Sequence, residues 1–127
     1  MNLQTFTSFD GRIPRMTFWL GVLALMIIQW VLFALFGGMA LMNTDMSDPV
    51  AAEQAMSGMW PLWIIFLIFL WPSLAIYTKR WHDRGKDGVW SFIAFVPIIG
   101  FIWIVVELGF LRGTEGPNMY GDDPIAG

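Results

Sequence analysis

Three stretches of the chain carry no charged side chain: residues 16–44, 54–78 and 88–106, of 29, 25 and 19 residues. About 20 apolar residues rising 1.5 Å each cross a hydrocarbon layer ~30 Å thick. The first two runs are long enough even when tilted, and the third is marginal. Helices built from them would have no polar face to give to water, which excludes an ordinary soluble bundle. Composition agrees, with 57% hydrophobic and 13% charged residues, against roughly 45–50% and about 25% in soluble domains. The first run also exceeds a signal-peptide core of roughly 7–15 residues and lacks a small-x-small cleavage site, so it stays in the mature chain. The expected fold is all-α and integral to a membrane, one domain over 1–127. Its helices are expected at about 17–42, 58–78 and 89–106, followed by a turn-rich polar tail over 107–127.

Absent residues remove whole classes of chemistry. There is no cysteine and one histidine, which excludes disulfides, thiolate metal sites, thiol catalysis, palmitoylation and multi-histidine metal centres. No phosphate-binding glycine loop, nucleophile elbow or carboxylate dyad is visible. No metal, cofactor or nucleic-acid partner is expected.

Lysine and arginine decide orientation, because they favour the cytoplasmic side. Along the chain their counts are two in 1–16, none in 43–57, four in 79–88 and one in 107–127. That pattern puts the N-terminus and the 79–88 loop inside and the acidic loop 43–57, expected to be loose, outside. The tail has two possible destinations. A plain third span leaves the C-terminus outside, which the single Arg112 permits and the counting favours. A re-entrant pair of half-helices, broken at Pro97–Gly100, returns it to the cytoplasm. In that second case Glu107 can pair with Arg12, Arg15 or Arg80, and Tyr120 packs against the inner loop.

Within the spans, Gln29 sits near the centre of the first helix, where an amide needs a partner other than lipid. Ala34 and Gly38 offer a small-xxx-small pair for close packing. Trp19, Trp60, Trp81 and Trp90 fall near expected helix ends, as an interfacial belt would. Trp30, Trp63 and Trp103 do not fit such a belt and are expected between helices.

Polar information is concentrated in three clusters. Phe9-Asp-Gly-Arg-Ile-Pro-Arg15 precedes the first helix, with Arg12 and Arg15 flanking Pro14. Lys79-Arg80-Trp-His82-Asp83-Arg84-Gly-Lys86-Asp87 follows the second, and four cations there attract an anionic surface at about 1 kcal/mol each. Asp83 and Asp87 divert some of that charge into internal pairs. His82 beside Asp83 has the look of an acid/base pair but lacks a nucleophile to act on. The third cluster, Arg112 to Pro124, is rich in glycine, proline and Asn118 and reads as tight turns, with Met119 and Tyr120 as apolar handles for folding back.

These clusters resemble a small bacterial inner-membrane family catalogued as domain of unknown function 805. Its opening motif is matched by Phe9, Gly11, Arg12, Arg15, Phe18 and Trp19. The loop motif is matched by Arg80, His82, Asp83, Gly85, Lys86, Gly88 and Trp90, with departures at Lys79, Trp81 and Asp87. A Pro-x-x-Gly break follows at Pro97 and Gly100. The closing motif is matched by Gly113, Thr114, Gly116, Asn118, Tyr120, Gly121, Asp123 and Pro124, a candidate structural tail. The resemblance implies a multi-pass protein of the bacterial inner membrane and no established activity.

The expected function is non-enzymatic: a basic and aromatic surface at headgroup level for anionic lipid or a partner protein, with self-association also open. Candidate contacts are Arg12, Arg15, Lys79, Arg80, His82, Asp83, Arg84 and Lys86. A small transport or channel component is an alternative, although the spans hold no ionisable group away from their ends. A membrane enzyme acting on a lipid headgroup through His82 and Asp83 is another.

Overall fold

The computed structural model describes residues 2–125; the first residue of the expected domain and the last two of its tail, 126–127, lie outside the described residues. A short helix α1, Leu3–Thr7, begins at Asn2, whose side chain accepts from the Thr5 N–H at 3.2 Å while Thr5 Oγ1 accepts from the Asn2 N–H. Helix α2 spans Arg15–Met42, widening to a π-helical turn over Ala34–Gly38. Helix α3, Pro49–Ser57, is followed by α4, Trp60–Asp83. Two helical stretches, Arg15–Met42 and, with a turn at 58–59, Pro49–Asp83, are long and apolar enough to cross a membrane.

Two boundaries differ from the sequence reading for identifiable reasons. The acidic loop is half helical, because Asp48 caps Val50 N–H at 3.1 Å and Pro49 occupies the first helical position. The second long helix continues to Asp83 rather than stopping at 78, since nothing between Lys79 and Asp83 breaks a helix before Gly85 turns the chain at φ +78°. That extension puts Arg80 and Asp83 three residues apart on one helical face.

The third apolar run does not form a plain span. It makes a 3-10 helix over Gly88–Phe95, a break, and helix α5 over Ile99–Phe110, whose second half is π-helical. Twelve residues at 1.5 Å each reach about 18 Å, short of a ~30 Å core. The break is a tight γ-turn: Ile98 takes φ 67°, ψ −63°, and Ile99 N–H reaches the Pro97 carbonyl at 2.7 Å. A Cβ on Gly100 would run into the Ile93 carbonyl, so only glycine allows the two arms to lie this close. Proline and glycine therefore make a hairpin here instead of a kinked span.

The chain forms two compact units, Met1–Leu23 with Trp71–Gly127, and Ala24–Leu70. In the second unit the close approach occurs at Gly37, where a Cβ would lie 2.8 Å from Leu62 Cδ1. Gly38 instead meets Phe33 of its own helix, so the expected Ala34–Gly38 pair is not the packing contact. Trp30 and Trp63 are 67% and 70% exposed and point outward rather than between helices, as indoles facing lipid can. The first unit holds the core, with Ala75, Ile76, Trp81 and Leu108 fully buried. Trp81 leaves the expected interfacial belt because its indole donates inward to Ser91 Oγ at 3.0 Å.

Candidate functional site

The last turn of α4, the segment before α2 and the tail meet around one carboxylate. Asp83 Oδ1 accepts from Arg12 Nε at 3.0 Å, and Oδ2 accepts from Arg80. The rest of Arg12 is committed to carbonyls: Gly116 at 2.8 Å and Gly121 at 3.2 Å through Nη1, and Thr114 at 2.6 Å through Nη2. Arg80 likewise donates to Leu108 at 2.6 Å, Ile13 at 3.3 Å and Leu111. The side chains of Arg12, Arg80 and Asp83 are 1%, 0% and 2% exposed. A guanidinium carries five donors in a planar fork, which suits it to collecting carbonyls from several segments. Two arginines here hold three segments of chain together.

The tail is shaped to reach this core. Gly113 passes so close to Asp83 that a Cβ would collide with its carboxylate, and the Thr114 N–H donates to the Asp83 carbonyl at 2.6 Å. Asn118 pairs with Gly121 through both backbone bonds, accepts from Tyr120 N–H at 2.8 Å, and donates its amide to the His82 carbonyl at 2.9 Å. Tyr120 stacks on the His82 ring at 3.9 Å between centroids and 4° between planes. His82 Nδ1 lies 3.0 Å from the Gly11 carbonyl, which can only accept, so Nδ1 carries the proton. His82 and Asp83 therefore turn to different partners and do not form the acid/base pair that their adjacency suggests. Pro124 and Asp123 end the motif. Asp123 accepts from the N–H groups of Ile125 and Gly116, each at 2.9 Å, and from Arg112 at 3.2 Å. Those donors hold its carboxyl down at about 2.

A second charged group sits on α5. Glu107 accepts from Lys86 and from the Trp103 indole at 2.8 Å, and Arg84 approaches at 3.6 Å. Lys86 also lies 4.6 Å from the Trp90 ring centroid. Arg84 donates to the Arg112 carbonyl at 2.6 Å through Nη1, while its buried Nε has no partner among the described residues. Sequence reasoning gave Glu107 the wrong partners, naming Arg12, Arg15 or Arg80, and missed Trp103 and the carbonyls of Leu108 and Leu111. A lone acid closing an apolar run is the visible signal for Glu107; backbone acceptors carry none.

The eight candidate contact residues thus divide. Arg12, Arg80 and Asp83 are enclosed, and Lys79 is buried with its ammonium on the Gln4 carbonyl. His82 lies under Tyr120. Arg84, Lys86 and, most openly, Arg15 remain at the surface. Arg15 donates one Nη to the Phe110 carbonyl at 2.8 Å and stands beside an open groove lined by Pro14, Trp19, Leu20, Gly109 and Ile125. The Trp19 indole is fixed by the Gly109 carbonyl at 2.9 Å. Of the tail's handles, Tyr120 is docked while Met119 is 84% exposed.

The family described as "Protein of unknown function (DUF805)" matches residues 6–122 of the chain. Inner membrane protein YhaI of Escherichia coli (strain K12) is 32% identical, covering 98% of this chain and 92% of its own length. Inner membrane protein YhaH of the same strain is 30% identical, covering 96% and 91%. Uncharacterized protein YiiR, also from that strain, is 28% identical over 94% of this chain and 88% of its own. No solved structure matches the chain.

Proposed function

Since this chain belongs to the DUF805 family of proteins of unknown function, we propose that it is a two-span inner-membrane protein that holds anionic phospholipid at its cytoplasmic face. Both termini are cytoplasmic in this reading. All seven lysines and arginines belong to the unit formed by Met1–Leu23 and Trp71–Gly127, whereas Ala24–Leu70 carries only Asp45, Asp48 and Glu53. Basic residues lie beside Arg15 and Asp83 at the ends of the long helices and none lies in the 43–57 segment that joins them, the pattern by which basic residues orient a chain. The hairpin at Pro97–Gly100 keeps the tail on the same side as Arg12.

The carrying observation is Arg15 at the mouth of an apolar groove. Its guanidinium has further N–H donors beyond the one on Phe110, and arginine matches a phosphate with parallel hydrogen bonds. The groove beside it, walled by Trp19 and Leu20, takes the start of an acyl chain. The buried Arg12–Asp83–Arg80 group acts as the scaffold that fixes Phe110, Gly109 and Ile125 around the slot. With its side chain 2% exposed and both oxygens held by arginines, Asp83 is closed to a substrate, which favours binding over catalysis.

Purified protein in a mild detergent should melt at a higher temperature with phosphatidylglycerol than with phosphatidylcholine. Arg15→Ala should remove most of that difference while leaving the lipid-free melting temperature close to native. Equal stabilisation by both lipids, or an undiminished preference in the variant, would sink this reading.

A further inference from the structure

Gln29 is the only amide or charged side chain of the unit Ala24–Leu70 that sits inside an apolar helical run rather than in the 43–57 segment. Gln29 lies 14 residues from Arg15 and 13 from Met42 in α2, about 20 Å from either end at 1.5 Å per residue. That is the middle of a ~30 Å core. Its amide makes no hydrogen bond to any described residue. It lines an open groove of about 270 Å³ with Trp30, Phe33, Leu62, Ile65 and Phe66. Around it Trp30, Phe33 and Phe66 are 67%, 40% and 55% exposed, so the face is not closed by this chain.

Lipid tails cannot answer an amide, and an unsatisfied polar group in hydrocarbon costs several kcal/mol. A primary amide is self-complementary, with two N–H donors and one carbonyl acceptor. A two-fold axis passing beside Gln29 along the membrane normal sets the two copies of this residue against each other, so each Gln29 can donate to and accept from its counterpart. We propose that this face is a homodimer interface in the membrane, with a reciprocal Gln29–Gln29 amide pair at its centre and the groove packed by the second copy. A foreign partner would need its own polar group at the same depth, whereas a second copy supplies one automatically. The flanking aromatics add contact area, which is what drives helix association where both the helices and the solvent are apolar.

The absence of cysteine makes the test direct. Single-cysteine protein labelled at exposed Ser57 (S57C) is reconstituted as mixed donor and acceptor copies in phosphatidylethanolamine–phosphatidylglycerol vesicles, and energy transfer is followed on dilution with lipid. Native protein should show saturable transfer that falls on dilution. Gln29→Leu should weaken self-association on the order of tenfold, with an unchanged helical circular dichroism spectrum showing that the monomer still folds. Gln29→Asn, which keeps the amide on a shorter stem, should fall between. Native protein with transfer no higher than chance co-residence would overturn the dimer, even if it captures another protein in cells. A Gln29→Leu variant that associates as tightly as native would overturn the amide pair. Either failure leaves the lipid reading at Arg15 untouched, because that residue lies in the other unit.

Discussion

Asp83 illustrates how a single carboxylate organises a small membrane protein. Removing its charge while keeping its shape, as Asp83→Asn, leaves two guanidiniums facing each other without an anion between them. Breaking a buried pair in this way costs about 3–5 kcal/mol, and tryptophan fluorescence in detergent should report a correspondingly large drop in melting temperature. His82→Ala should be milder, about 1–2 kcal/mol, since it loses one ring stack and one hydrogen bond; lower accumulation of the variant with its lipid preference intact is the expected signature. Asp123 gives the tail a pH dependence. Its folded pKa lies below the ordinary carboxylate value, chiefly through the Ile125 and Gly116 N–H groups and then Arg112. The stability it contributes is therefore fully present above about pH 4 and is lost as pH falls through the folded value near 2. The protection factor of the Gly116 amide, its exchange rate set against the intrinsic rate at each pH, should fall across that window in the native protein, and Asp123→Asn should show low protection at neutral pH.

At the level of elements, the broken third segment is the least regular part of the chain and carries its clearest strain. Ile98 is a β-branched residue at φ 67°, a conformation that costs of order 1–3 kcal/mol outside glycine. Ile98→Gly should stabilise the hairpin by about 1 kcal/mol, read as a raised melting temperature. Gly100→Ala should do the opposite, because its methyl would strike the Ile93 carbonyl and force the arms apart. Arg80 takes carbonyls from Leu108 and Leu111 at the far end of α5, so the damage from Gly100→Ala should spread into the buried charge group. The same logic explains α3: Asp48 and Pro49 start a helix inside a stretch whose composition suggests a loose loop.

Across the whole molecule, the proposed topology puts every basic residue on one side. Cysteines introduced at Ser47 and Asp87 should label from opposite faces of intact membranes, position 47 from outside. A reporter fused after Gly127 that works only in the cytoplasm should be active. Labelling of position 87 by an impermeant reagent in intact cells would reverse the arrangement, and an inactive fusion of full length would put the tail outside. Basic-residue counting alone points the C-terminus outward, since one arginine in the tail is a weak retention signal. It does not register the hairpin, which shortens the third segment to about 18 Å and ties the tail to Arg12.

Membrane residence, the helical class and the two long apolar helices were legible from charge-free runs alone, because the length needed to cross hydrocarbon is a one-dimensional property of the chain. The three polar motifs were legible as related, and Tyr120 as a residue that folds back. What they do together was not. Arg12, Arg80 and Asp83 look in one dimension like surface charges beside a membrane; only the folded chain brings carbonyls from Thr114, Gly116, Gly121, Leu108 and Leu111 around them and turns them inward. Backbone acceptors are the same at every position in a sequence, so nothing in the residue string marks which of them a guanidinium will find. For a similar reason the third segment reads in one dimension as a plain span in preference to a hairpin. Proline and glycine three apart permit either a kinked span or a hairpin, and the choice fell to a close approach between Gly100 and Ile93 that exists only once both arms are folded.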